Sequence, residues 1–107
     1  MTRGKKKLRA GKNTAAEFPA LRAFFEGYLH QDFRDEYGSA VGAAQAFRED
    51  ASDLELVAVR KEWKKWRAGL AKASPDEIGQ AARKLGAAWQ PQVAKDLDYV
   101  EMALNAK

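Results

Sequence analysis

Apolar residues recur along this chain at intervals of three and four, and no stretch alternates with the period of a strand. Leu21, Phe24, Phe25, Tyr28 and Leu29 fall on one face of a helix that begins near Pro19, whose missing N–H costs nothing in a first turn. Gly27 lies inside that helix at a cost of about 1 kcal/mol relative to alanine, which calls for a conformational or packing reason, such as a neighbouring helix lying close over that turn. Arg34 to Gly38 reads as an exposed polar loop. Ser39 is a good N-cap for a second helix, which presents Ala40, Ala44, Phe47 and Ala51, small residues with one aromatic knob. That helix ends on Arg48-Glu49-Asp50, where the macrodipole opposes acid. Either these carboxylates serve a purpose other than helix stability, or the helix stops early.

Ser52 or Asp53 caps the third and longest helix, whose Leu56, Val59, Trp63, Trp66 and Leu70 form a seam two heptads long. A coiled coil needs about three to four heptads, so this is the central helix of a bundle. Ser74-Pro75-Asp76-Glu77 is a capping box with proline at the first helical position, and it starts a fourth helix with an Ile78, Ala81, Ala82, Leu85 stripe. Gly86 is placed to end it in a left-handed turn. Ala87 to Pro91 form a connection with Trp89 folded back as a plug, and a last helix from about Gln92 carries Val93, Leu97, Val100 and Leu104. The fold class is all-α, a single compact bundle of about five helices over residues 17–107, preceded at 1–16 by a disordered, flexible basic tail.

At 107 residues the chain has room for one modest core, and 46% apolar with 32% charged residues is a globular mix. The absence of cysteine removes disulfides and thiolate metal sites and suits a reducing cytoplasm. No apolar run approaches the roughly 20 residues needed to span a bilayer. The net charge of +4 divides unevenly: residues 1–12 carry +6, 13–59 carry −6, 60–95 carry +6 and the last twelve −2. Such a bipolar surface favours a charged protein partner over uniform nucleic-acid binding.

His30, the one histidine, stands two positions from Asp32, but no nucleophile accompanies it: cysteine is absent, and Ser39, Ser52 and Ser74 sit where helix caps are needed. A structural or interface role fits it better than acid/base catalysis. One histidine with scattered carboxylates makes no metal ligand set, and no phosphate-binding loop is present, so neither a cofactor nor an enzymatic activity is expected. Trp63-Lys64-Lys65-Trp66-Arg67 mixes aromatics with cations as single-strand binders do. On a helix the two indoles share one side and the cations take others, which points to core packing. The alternative function is a small helical RNA- or DNA-binding protein using the basic tail and the Arg60 to Arg67 face. Acidic residues gather at two places, Asp32, Asp35 and Glu36 beside Tyr37, and Glu49, Asp50, Asp53 and Glu55. If the first two helices pack antiparallel through a short loop, the two groups lie at opposite ends of the pair.

The run Phe18-Pro19-Ala20-Leu21-Arg22 with Phe24-Phe25, then Gly27-Tyr28-Leu29-His30-Gln31-Asp32-Phe33, Glu36-Tyr37-Gly38-Ser39 and Ala46-Phe47 resembles the small immunity proteins of bacterial contact-dependent growth inhibition systems. The likeness covers about 30 residues densely and fades to a helical pattern beyond Asp53; the lysine-rich leader is an addition to it. It implies a cytoplasmic, non-enzymatic protein that binds, one to one, the C-terminal toxin domain of a cognate effector and blocks its active site or substrate path. Toxins of such systems are often nucleases, tRNA-cleaving ones among them, with basic substrate sites that a carboxylate surface would suit. The candidate contact residues are Asp32, Asp35, Glu36, Tyr37, Glu49, Asp50, Asp53 and Glu55. Phe24, Tyr28, His30, Trp63 and Trp66 are candidates for structural roles.

Overall fold

Phe18 precedes the first helix and offers its first turn no side-chain acceptor, and in a computed structural model describing residues 18–106 that deficit is met from elsewhere in the chain. Six helices follow one another among these residues: α1 Pro19–Tyr28, α2 Phe33–Tyr37, α3 Ala40–Asp50, α4 Asp53–Ala68, α5 Pro75–Lys84 and α6 Lys95–Asn105. No strand occurs among the described residues. The tail expected at residues 1–16 lies outside them. The polar loop expected at Arg34 to Gly38 is instead the short helix α2. Phe33, only 5% exposed, anchors it to the core, and Gly38, at φ 83°, ends it. The last helix starts at Lys95 rather than near Gln92, because the Asp96 carboxylate accepts from the Gln92 and Val93 N–H groups at 2.8 and 3.3 Å and holds that stretch in a local turn. Val93, expected on the apolar stripe, is exposed as a result.

Three serines cap as their positions predict. Ser39 accepts from the Gly42 N–H at 3.0 Å, and Ser52 and Ser74 close reciprocal boxes with Glu55 and Glu77. Gly86 takes φ 98° just past α5, where a side chain would be strained and would meet Glu26 of α1. Gly42 serves a different end: a Cβ there would collide with the Tyr37 carbonyl oxygen, so its bare backbone is what lets α2 lie on the start of α3. Gly27 departs from expectation. Nothing approaches within 4 Å of where its Cβ would be, and the neighbouring helix predicted over that turn is absent.

The core is aromatic at its centre. Leu21, Phe24 and Phe25 of α1 and the following Leu29 are fully buried in one core with Val59, Trp63 and Trp66 of α4, with Phe25 edge-on to Trp66 at 5.4 Å and Phe24 against Phe47 of α3 at 4.9 Å. Trp89 lies buried in the α5–α6 connection. Ile78, Ala81, Ala82 and Leu85 bury the inner stripe of α5, while Leu97, Val100 and Leu104 bury that of α6, which lies along α3 and α4. The Trp66 indole N–H is buried without a partner among the described residues, and nothing in the structure accounts for it.

Long-range polar contacts then tie the helix ends. Glu62 of α4 accepts from the Leu21 N–H at 2.9 Å and so caps α1 from across the interface. At the other end of α1, the Leu29 carbonyl accepts from the Ala88 N–H at 2.7 Å. The C-terminus of α6 is met by two arginines: Arg48 donates to the Ala103 carbonyl at 3.1 Å and Arg60 to that of Leu104 at 2.7 Å. Glu101 of α6 accepts from both the Trp63 indole and Arg67, each at 2.9 Å, and Arg67 also pairs with Asp98. Burial opposes the Arg67 charge, but Glu101 and Asp98 more than offset it and hold its pKa above the usual value.

Two glycine substitutions should therefore act with opposite sign. Gly27→Ala stabilises by about 1 kcal/mol through helix propensity, and Gly42→Ala destabilises by about 1–3 kcal/mol because Tyr37 must move. Loss of the borrowed cap in Glu62→Ala costs about 1–2 kcal/mol. Urea unfolding of the three variants checks all of these.

Candidate functional site

The acid at the end of α3 has a use that helix stability alone does not supply. The helix runs through Asp50, against the macrodipole, and the Asp50 carboxylate accepts a 2.8 Å hydrogen bond from the Tyr28 hydroxyl at the end of α1. Tyr28 also stacks on Tyr37 of α2, with ring centroids 5.6 Å apart and planes 25° from parallel, and meets Phe47 edge-on at 5.4 Å. One tyrosine thus joins the two connections that carry the acidic residues. They do not lie at opposite ends of an antiparallel pair, because α2 turns the chain back so that the C-terminal ends of α1 and α3 meet.

His30 secures the approach to this junction. Its Nδ1 accepts from the Asp32 N–H at 3.1 Å, which leaves the proton of the neutral ring on Nε2, and Nε2 lies 3.1 Å from Glu36 Oε1 to donate. The imidazole spans the turn between α1 and α2 and sets the position of Glu36. Its backbone partner is an N–H, not the carbonyl that a histidine at a helix end more often finds.

Asp32, Asp35, Glu36, Glu49, Asp50, Asp53 and Glu55 are all exposed, and Tyr37 is half-buried. The structure brings Asp50 and Glu55 near Tyr28 and Glu36 near the stacked Tyr37, whereas Asp32 and Asp35 act on neither phenol. Glu55 spends one oxygen on the Ser52 N–H in the α4 capping box. Among the structural candidates, Phe24, Trp63 and Trp66 are buried and Tyr28 and His30 half-buried. Tyr28 was legible only as an apolar-face residue. The signal for its other role was the acid placed against the dipole of α3.

The opposite charge is deployed differently. Of the Arg60 to Arg67 face, Arg60 and Arg67 are bound to α6, and the Trp63 and Trp66 rings are in the core, leaving Lys61, Lys64 and Lys65 exposed. No group of histidine and carboxylate side chains that could hold a metal ion occurs among the described residues. None of their helices is long and apolar enough to cross a membrane.

Burial, then the Asp50 hydrogen bond and the surrounding negative charge, push the Tyr28 phenol from 10.0 up to about 12. Burial and the charges of Glu36 and Asp50 raise Tyr37 as well. A raised folded-state value contributes stability that is complete below the unfolded value and is lost as pH rises toward the folded one. Denaturant unfolding should therefore show stability falling between pH 10.0 and about 12 more steeply in the wild type than in Tyr28→Phe.

No curated protein and no solved structure matches the chain. The sequence model of a family described as CdiI immunity protein matches residues 17–100, well over half the length and including the whole Tyr28 junction, and the chain belongs to that family.

Proposed function

We propose that this protein neutralises the C-terminal toxin domain of a cognate contact-dependent growth inhibition effector by tight one-to-one binding in the cytoplasm, without catalysis. The observation that carries this reading, given the family, is the gathering of Glu36, Asp50 and Glu55 around the Tyr28–Tyr37 pair. Tyr28 holds Asp50, His30 holds Glu36 and the Ser52 N–H holds Glu55, and preorganised charge costs less to desolvate on binding than charge on mobile side chains. Such a surface complements a basic cleft, as in a nuclease that holds a phosphate backbone, and occupying that cleft excludes substrate. Nucleic-acid binding through the Arg60 to Arg67 face is less favoured, because both arginines already serve α6.

Co-expression with the toxin domain encoded immediately upstream should yield a complex and restore growth; no complex and no rescue would reject the proposal. Charge reversal at Asp35, Glu36, Asp50 and Asp53 should slow association on the order of tenfold or more and flatten its salt dependence. Stopped-flow mixing at two ionic strengths measures both, with circular dichroism confirming that the Asp50 variant remains helical. Unchanged affinity and salt dependence would move the contact off the acidic surface.

A further inference from the structure

Helix α4 has two apolar faces, and the fold uses one. Val59, Trp63, Trp66 and the following Leu70 are buried, whereas Leu54 is 83% exposed and Val57 58% exposed. At a spacing of three the outer pair lies on one stripe with Ala58. The helix start does not need them: the cap requires Ser52 and Glu55 only. A β-branched valine on an exposed helix surface is also a poorer helix former than a charged or amide residue would be. Leu54 and Ala58 form one wall of a shallow groove of about 310 Å³ whose other wall is Ala20 and Ala23 of α1, with Phe47 and Val59 at its base.

Charge selects the occupant. Glu49, Asp50, Asp53 and Glu55 surround Leu54 in the chain, and none is in an ion pair with a described cation. A second copy related by a two-fold axis through this stripe would bring both sets of carboxylates together, a like-charge contact that opposes self-association. A partner presenting an apolar pocket or side chain between lysines and arginines satisfies both parts of the surface at once. We propose that Leu54 and Val57 are the apolar anchor of the toxin contact, seated at the lip of the toxin's basic cleft while the neighbouring carboxylates face its cations. This rests on the toxin-binding reading above and adds a division of labour: the carboxylates govern encounter, and the apolar pair governs residence.

Calorimetric and surface-binding titration of the full chain against the purified upstream toxin domain tests it. Leu54→Ala and Val57→Ala should each weaken binding on the order of tenfold, through faster dissociation and with the salt dependence intact. Leu54→Met should retain most of the affinity. Met102→Ala removes an equally conspicuous side chain, 66% exposed on α6, and should leave binding unchanged, as all four variants should leave thermal unfolding. If the wild type binds and the Leu54 and Val57 variants bind equally well, or Met102→Ala is the one that weakens binding, the anchor is wrong while the immunity reading stands. A wild type that fails to bind rejects that reading and the anchor with it. Self-association of the free protein that Leu54→Ala abolishes would assign the stripe to a second copy and overturn the proposal.

Discussion

Everything around α1 depends on its being held at both ends by groups distant in the chain. The helix is short, lacks a side-chain cap and has neither acid in its first turn nor base in its last. A ten-residue helix of this kind is marginal alone. The Glu62 carboxylate at its start and the Ala88 N–H at its end replace the missing local caps, and the buried Phe24, Phe25 and Leu29 hold it against α4 and α3. With α1 so placed, Tyr28 is delivered to the end of α3, and the junction with Asp50 and Tyr37 follows.

The polar residues divide into those the fold consumes and those it leaves free. Arg48, Arg60 and Arg67 are engaged with α6, and Glu62 and Glu101 are likewise engaged across interfaces. Carboxylates around the end of α3 and the start of α4 remain outside, exposed and next to an apolar stripe. This separation leaves a distinctly acidic end among the described residues. In the proposed toxin contact that end supplies attraction at a distance and Leu54 and Val57 supply the close fit, the arrangement by which charged interfaces combine fast association with slow dissociation.

The junction is assembled from residues between Phe18 and Asp50, inside the stretch that the family model matches. Most of its residues are scaffold: Phe24 and Phe47 touch in the core, Phe33 pins α2, and Gly38 and Gly42 allow the turn and the close approach that place Tyr37 over Tyr28.

The helical class, the apolar faces of α1, α4 and α5, and the Ser39, Ser52 and Ser74 caps were legible in the sequence, because each rests on contacts within one or two turns of the chain. Three features were not. A five-residue helix is too short to show a period, so Arg34 to Gly38 looked like its polar surface and its one anchor, Phe33, had no assignment. Whether anything packs over Gly27 depends on where other helices lie, and there the face is open. The meeting of the two acidic groups depends on the direction in which α3 returns past α1. Local periodicity determines which face of a helix is buried. Only tertiary structure decides which helix ends meet, since that follows from the sum of weak long-range contacts such as Glu62 to Leu21, Ala88 to Leu29 and Tyr28 to Asp50, none of which leaves a mark at fixed spacing in the sequence.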